Sequence, residues 1–202
     1  MTVAPIGASV QAGSRILTEL IGRAHQVTAI ARNPHRIVSG AGVTAVKGDV
    51  LDDAGLTALI KGHDAVISSV RFSSSDSHDL IDAVRASGVK RYLVVGDAGS
   101  LEVAPGLRLI DTPQFPAAYK PEASTAVEFL DLLYQTHDLE WTFLSPSALF
   151  VTGERTGKFR LGDDQLLTNE SGSRISFEDF AVALVDELEK PTHIRRRFTV
   201  GY

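Results

Sequence analysis

The chain has 202 residues, of which 44% are hydrophobic and 22% charged, and its formal net charge is −5 at pH 7. This composition predicts one globular domain, and it disfavours a nucleic-acid partner or a membrane span, since no apolar run approaches the roughly 20 residues that cross a bilayer. Because the sequence has no cysteine and shows no signal peptide before its first predicted strand, we expect no disulfide and a cytoplasmic protein.

Short apolar runs alternate with longer helical patterns over the first part of the chain, which is typical of βαβ units. The predicted strands are 2–6, 27–31, 43–49, 64–70, 90–97 and 140–146. The predicted helices are 13–23, 54–61, 79–87 and 122–135. The pattern therefore predicts an α/β fold, a Rossmann-type doubly wound parallel sheet, over about residues 1–150.

The pattern changes after the sixth predicted strand. Residues 156–164 and 174–177 are predicted as short strands, 178–189 as a helix and 195–202 as a closing strand. We predict that about 151–202 form a small substrate-side subdomain within a single domain of residues 1–202. The basic run Arg195 to Arg197 is interpreted as part of a solvated sheet edge.

The turn after the first strand carries a glycine pattern. Residues 7–13, GASVQAG, are close to GxxGxxG, in which glycines let the backbone approach a pyrophosphate at a helix N-terminus. Gly7 and Gly13 keep the outer positions, whereas Val10 puts a branched side chain at the middle one. Pro5 also removes an N–H from the first strand. The pattern thus indicates a dinucleotide site with an obstruction.

Further segments extend this likeness along the chain: TAIARNP, KGDVLD, HDAVIS, GVKRYLVVG, YKPEA, and ERTGKFRLG followed by RISFEDFA. In this order they resemble the atypical short-chain dehydrogenase/reductases, close to NmrA-like proteins and to biliverdin and flavin reductases. The resemblance implies an NAD(P)-binding Rossmann domain whose first turn faces the pyrophosphate. The implied cradle is Gly7, Ser9, Val10, Gln11, Ala12 and Gly13.

Two short segments bear on the choice of cofactor. Arg32 follows the second strand, where Rossmann proteins that use NAD present an acidic residue and those that use NADP present an arginine to the 2′-phosphate. Arg32 therefore favours NADPH over NAD, unless it only tops a solvated loop. Asp49 and Val50 resemble the pair that flanks the adenine, although Asp49 could instead cap the next turn.

The nicotinamide of such a cofactor is expected at the carboxyl ends of the fourth to sixth strands. The candidate lining residues are Ser68, Ser69, Val70, Gly96, Asp97, Ala98, Ser145, Pro146 and Ser147. The resemblance also implies a catalytic Ser after the fifth strand and a Tyr four residues before a Lys. Lys120 matches the Lys, but Pro116 stands at the Tyr position and Ala98 at the Ser position.

Tyr119 and Lys120 are the catalytic candidates that remain. Tyr119 could supply a phenol, although adjacent helical residues point about 100° apart. Lys120 could hold the nicotinamide ribose, or it could be a surface lysine at a helix start. The proline-bearing segment 99–119 could form a lid over the nicotinamide, a surface loop or a dimer contact.

The missing Tyr favours acceptors that take a hydride into a conjugated system and a proton from water. We therefore predict an NADPH-dependent reductase of a quinone, flavin or enone, acting as a monomer or homodimer on a small molecule. Two alternatives stay open: an NmrA-like dinucleotide sensor without catalysis, and a redox-neutral enzyme such as an isomerase on the same fold. The six histidines show no metal-binding spacing, so no metal site is predicted.

Overall fold

The computed structural model describes residues 1–202. Its strands are β1 (Thr2–Ile6), β2 (Gln26–Ala31), β3 (Val43–Lys47), β4 (Ala65–Ser68), β5 (Arg91–Val95), β6 (Glu102–Ala104), β7 (Leu107–Arg108), β8 (Glu140–Pro146), β9 (Leu149–Val151), β10 (Arg160–Gly162), β11 (Arg174–Ser176) and β12 (Arg196–Gly201). Its α-helices are α1 (Gln11–Gly22), α2 (Asp53–Ile60), α3 (Ser77–Ser87), α4 (Lys120–Tyr134) and α5 (Phe177–Glu189). None of these helices combines the length and apolarity needed to cross a membrane.

Eight of the strands form one sheet in the order β10-β12-β8-β5-β4-β1-β2-β3. Every neighbouring pair is parallel except β10 and β12. The chain builds outward from β1 through β2 to β3, then crosses back to β4 and continues in the other direction. The reversal confirms the predicted doubly wound, Rossmann-type sheet and creates a switch point between β1 and β4.

The helices cover both faces of this sheet. Helices α1 and α5 pack together over one face, and α2, α3 and α4 cover the other. Successive residues of β5 alternate between the two cores, with Leu93 on the α1 side and Tyr92 and Val94 on the other. Because a central parallel strand is buried on both faces, it appears in the sequence as a continuous apolar run.

Pro5 is accommodated inside the central strand β1. The ladder between β1 and β4 is continuous from Val3 to Ile6, whereas the ladder between β1 and β2 is interrupted between these two residues. Since proline has no N–H to donate, its position in the interrupted segment costs the sheet little pairing.

The C-terminal part of the chain is divided between the main sheet and a small appendage. Strand β12 and helix α5 belong to the central sheet and its core, while β9 and β11 form a separate parallel pair. The predicted solvated segment at Arg195 to Arg197 is confirmed for Arg195 and Arg196, which are exposed because β10 pairs with β12 only at residues 199–201, but not for Arg197. The Arg197 side chain is only 7% exposed, and it donates to Asp164 (2.9 Å) and Ser100 (3.0 Å).

Several helix starts differ by two residues from the predicted ones. Helix α1 begins at Gln11 rather than residue 13, and α3 begins at Ser77 because the Asp76 side chain accepts the N–H groups of His78 and Asp79. Helix α4 begins at Lys120 rather than residue 122, since the following proline suits a first helical turn.

Candidate functional site

A cleft of about 790 Å³ opens at the carboxyl ends of β1, β2, β4 and β5. Loops of a doubly wound sheet converge at this edge, around the switch point. The cleft is formed by the loops that follow these four strands, by the loop after β3, and by side chains from α4, β9 and α5.

The two outer glycines of the first turn are required by its geometry. Gly7 has φ +79°, and a Cβ there would lie 2.2 Å from the carbonyl oxygen of Ser69. A Cβ on Gly13 would lie 2.1 Å from the carbonyl oxygen of Gly7. The middle position differs, because Val10 has an ordinary extended backbone (φ −83°, ψ 169°) and the residue is 45% exposed. Val10 therefore leaves the turn undistorted and projects from the wall of the cleft.

The N-terminus of α1 faces this cleft without a cap. Val10 precedes the helix and supplies no side-chain acceptor, and the first turn contains no acidic residue. The N–H groups of Gln11, Ala12 and Gly13 therefore have no protein acceptor, whereas the N–H of Ser14 already bonds to Val10. Free amides at a helix N-terminus favour a bound anion.

Three arginines line the same cleft, and none of their side chains has a hydrogen-bond or ion-pair partner within the protein. Arg32 follows β2, Arg36 lies one turn further on, and Arg71 follows β4. All three side chains are exposed. Unpaired guanidinium groups around a cleft are suited to phosphate, which they bind with two donors at once. The uncapped helix and these arginines together fit a phosphate-bearing dinucleotide.

Two carboxyl groups stand at the β5 side of the cleft. Asp97 follows β5 and is partly buried, and one of its oxygens, Oδ1, accepts the N–H of Gly99 at 2.6 Å. Burial raises the pKa of Asp97, the N–H of Gly99 lowers it, and the negative charge of Glu122 raises it further, so that the net shift is upward.

Glu122 is committed to the loop after β4. Its Oε1 accepts the N–H of Phe72 at 2.8 Å, and its Oε2 accepts both the N–H (3.0 Å) and the hydroxyl of Ser73. Because Phe72 packs against Phe129 and Phe143 in the core, these bonds tie the first turn of α4 to the cleft wall.

Aromatic side chains from the C-terminal part of the chain close the same end. Phe150 of β9 and Phe177 at the start of α5 line the cleft, with ring centroids 4.4 Å apart. Together with Val95 of the same hydrophobic cluster they form an apolar wall of the cleft. The appendage formed by β9 and β11 thus contributes directly to the cleft.

The structure brings most of the predicted cofactor residues together. Those that line the cleft are Gly7, Ser9, Val10, Gln11, Ala12, Arg32, Asp49, Val50, Ser69, Val70, Gly96 and Asp97. Asp49 also caps its own turn, since it accepts the N–H of Leu51 at 3.2 Å. Both interpretations of this residue are therefore compatible with its position.

Other predicted lining residues are absent from the cleft wall. Ser68 is buried and bonds to the hydroxyl of Tyr92 (3.0 Å), because the β4 strand turns this side chain into the core. Ser145 and Ser147 are fully buried, as β12 packs beside this end of β8; their neighbour Pro146 is buried too. Ala98 is also buried, one residue beyond Asp97.

Neither catalytic candidate lies in the cleft. Tyr119 is 66% exposed, and Lys120, the first residue of α4, lines a separate depression with Arg108 and Asp111. No residue of 99–119 lines the cleft. Instead this segment forms the hairpin β6–β7, where Glu102 exchanges backbone bonds with residues 164 and 166.

Sequence reasoning missed several side chains of the cleft, among them Arg36, Arg71, Glu122, Phe150 and Phe177. Arg36 had a usable signal, since it lies four residues after Arg32 in the same loop. Glu122 and the two phenylalanines had none, because only the packing of α4, β9 and α5 brings them to this edge.

Comparison with known proteins identifies relatives over the full length. "Uncharacterized protein YwnB" of Bacillus subtilis is 45% identical over 212 aligned residues, covering 99% of this chain and 98% of that protein. A solved structure from Bacteroides thetaiotaomicron, described as a "putative epimerase", is 39% identical with a TM-score of 0.95 and covers 100% of this chain and 96% of its own.

A third relative is SP1627 of Streptococcus pneumoniae TIGR4, described as a "putative NADH-flavin reductase". It is 38% identical with a TM-score of 0.85, over 100% of this chain and 99% of its own. The family model for NAD(P)H-binding proteins matches residues 7–191. These matches confirm the resemblance to NAD(P)-binding reductases, and the chain belongs to the NAD(P)H-binding family.

Proposed function

We propose that the protein is an NADPH-dependent oxidoreductase that reduces a small conjugated acceptor such as a quinone, a flavin or an enone. The observation that carries this proposal is the combination, in one cleft, of an uncapped helix N-terminus with three unpaired arginines. The NAD(P)H-binding family and the reductase description of SP1627 support an NAD(P)H-dependent oxidoreductase.

Different parts of the cleft would bind different parts of such a cofactor. The free amides at the start of α1 would hold the pyrophosphate, and Asp49 and Val50 would flank the adenine. Arg32 and Arg36, which follow β2, would hold the 2′-phosphate through charge-assisted hydrogen bonds. The adenosine end of the cleft offers NADPH two cations that NADH would leave unused.

The opposite end is suited to the chemistry. When bound, the dihydronicotinamide supplies a hydride. The apolar wall of Val95, Phe150 and Phe177 would stack a flat acceptor and exclude water from it. With Tyr119 and Lys120 outside the cleft, no tyrosine or lysine lines it, so the Tyr–Lys pair that the resemblance implies for ketone reduction is absent from this site. A conjugated acceptor is therefore the better match.

A redox-neutral reaction is the second candidate, because the Bacteroides relative carries an epimerase description. The two candidates differ in what happens to the cofactor. A reductase consumes NADPH in proportion to acceptor, whereas an epimerase or isomerase leaves it unchanged at the end of each turnover.

The experiment combines a binding titration with a turnover assay. NADPH and NADH are titrated by calorimetry, and NADPH oxidation is then followed by absorbance with a panel of quinones, free flavins and enones. We expect tighter binding of NADPH and acceptor-dependent oxidation. Binding without oxidation across the panel would favour the sensor or redox-neutral alternative. Absence of binding at millimolar cofactor would contradict both functions.

A further inference from the structure

We propose that Asp97 is the general acid of this reaction, donating a proton to the acceptor as the acceptor gains a hydride. The role rests on the reductase function proposed above. Asp97 is the second residue after β5, two residues beyond Val95 of the apolar wall, and it lines the cleft. Its side chain therefore stands on the nicotinamide side of the switch point, where the carboxyl ends of the strands meet the reacting groups.

The backbone that carries Asp97 is fixed by packing. The N–H of Gly96 donates to the carbonyl of Leu144 at 2.8 Å, and a Cβ on Gly96 would lie 2.2 Å from the ring of Phe143. The backbone at Gly96 thus packs directly against the Phe143 ring of the core, and Asp97 is the next residue along the chain. A rigid attachment of this kind suits a group that must meet its substrate at a defined place.

The two oxygens of the Asp97 carboxyl have different environments. Oδ1 accepts the N–H of Gly99 at 2.6 Å, which orients the group. Oδ2 has no donor from the protein and keeps contact with solvent, in a residue that lines the cleft. One oxygen is therefore anchored, and the other is free to carry and deliver a proton.

No other group in the cleft combines these properties. The other charged side chains along it are Arg32, Arg36, Asp49, Arg71 and Glu122. An arginine does not release its proton in a protein. Both oxygens of Glu122 accept hydrogen bonds from Phe72 and Ser73. Asp49 follows β3, four strand spacings from β5, which is roughly 19 Å across the sheet.

The electrostatics of the cleft support the assignment. Burial and the nearby Glu122 together raise the pKa of Asp97, against the opposing effect of the Gly99 N–H. The group therefore keeps its proton at a higher pH than an exposed aspartate does, which is the usual way in which an enzyme turns a carboxyl into an acid.

The proposed step balances. The acceptor gains a hydride from NADPH, which leaves as NADP⁺, while the O–H bond of Asp97 breaks and a bond forms between that hydrogen and the carbonyl oxygen or ring nitrogen of the acceptor. The electron pair of the broken bond stays on the carboxylate, and solvent returns a proton to it. The sum is acceptor plus NADPH plus H⁺, giving the dihydro acceptor and NADP⁺.

The test compares Asp97→Asn with a matched control, Asp163→Asn, in the full-length protein. Asparagine keeps an oxygen that can accept from Gly99, but its amide has no acidic proton to transfer to the acceptor. Asp163 is an exposed aspartate outside the cleft. We expect Asp97→Asn to lower kcat for quinone reduction by roughly 100-fold and to abolish the limb of the pH profile that reports an acid, with NADPH affinity changed less than about twofold. The control should keep the parent kcat, pH profile and affinity.

A second measurement does not depend on turnover. Carboxyl ¹³C NMR titration of the protein and of Asp97→Asn identifies the Asp97 resonance by difference, and we expect it to titrate above about 3.9, the ordinary value for aspartate. Titration at or below that value, or an unchanged kcat and pH profile in Asp97→Asn, would overturn the role.

Two further outcomes are informative. A loss of NADPH affinity that accounts for the fall in rate would make Asp97 a binding residue and overturn its role as an acid. A parent protein that binds NADPH but reduces no acceptor would contradict the proposed function itself, and the acid role with it. Failure of the reductase and failure of the acid are thus distinguishable.

Discussion

Gly7 and Ser69 lie so close together that no side chain fits between them: a Cβ on Gly7 would stand 2.2 Å from the carbonyl oxygen of Ser69. The contact joins the loop after β1 to the loop after β4, the two strands that flank the switch point. The same glycine has φ +79°, which disfavours any other residue. The floor of the cleft therefore depends on one glycine for two separate reasons.

Gly7→Ala should lower the free energy of unfolding by about 3 kcal/mol or more, because it adds a steric overlap to backbone strain. It should also weaken NADPH binding at least tenfold. Gly62→Ala is the matched control, since Gly62 has φ +80° with no atom within 4 Å of an added Cβ, and it should cost only about 1 kcal/mol. Denaturant unfolding and calorimetry measure both quantities. Equal losses of unfolding free energy in the two variants would show that the loop of Ser69 moves away from an added Cβ without a cost in stability.

Val10→Gly should tighten NADPH binding while lowering stability by about 0.5 to 1 kcal/mol, since it removes a branched side chain from the cleft wall and loosens the unfolded chain. Val10→Ala separates the two effects, because it shortens the side chain without the backbone freedom of glycine. We expect Val10→Ala to bind NADPH more tightly than the parent protein but less tightly than Val10→Gly, and to lose less stability than Val10→Gly. Unchanged affinity in both variants would mean that Val10 does not obstruct the cofactor.

Asp97→Asn should stabilise the fold at neutral pH. The pKa of Asp97 is raised in the folded state by burial, so the native protein binds its proton more tightly than the unfolded chain does. The stabilisation that this proton provides is complete below about pH 4, the ordinary range of aspartate, and is lost as the pH rises through the folded pKa. Asparagine does not ionise, so the variant does not lose stability in this way as the pH rises. Urea unfolding of both proteins from pH 4 to 8 should show a difference that grows with pH; a constant difference would argue against the raised pKa.

Glu122→Gln should lower the free energy of unfolding by about 1 to 3 kcal/mol, because an amide has one accepting oxygen where Glu122 uses two. The amide NH₂ would also face an N–H donor of the loop after β4. Glu128→Gln, on an exposed position of the same helix, should cost less than about 0.5 kcal/mol. Hydrogen exchange at Phe72 and Ser73 should accelerate only in Glu122→Gln. Equal exchange in the two variants would show that Glu122 does not hold this loop.

The parts of the fold that could be predicted are those with a strong local pattern. The runs TVAPI, AVIS and RYLVV are buried on both faces of the sheet and were therefore recognisable as parallel strands. Strands β6, β7 and β9 have two or three residues each, too few to show any periodicity. The position of β12 inside the sheet depends on β10, which lies 34 or more residues earlier in the chain, and no local pattern records that pairing.

The residues of the cleft likewise divide into those with a local sequence signal and those without one. The glycine turn and Arg32 were predictable because their signal lies within a few residues of a strand end. Glu122 and Phe150 were not, since each reaches the cleft through the packing of a distant element. Lys120 matched a spacing taken from related enzymes, yet the helix start at this residue directs it to a separate depression.

The central claim, a cleft that selects NADPH through unpaired arginines, is tested most directly by calorimetric titration of NADPH and NADH at one ionic strength. We predict that the protein binds NADPH more tightly than NADH, and that Arg32→Ala weakens NADPH binding by roughly tenfold, about 1.4 kcal/mol, without affecting NADH. Arg36→Ala should act in the same way, whereas Arg196→Ala, an exposed arginine outside the cleft, should leave both affinities unchanged. Equal affinities of the parent protein for the two cofactors, or an Arg32→Ala variant with the same preference, would contradict the claim.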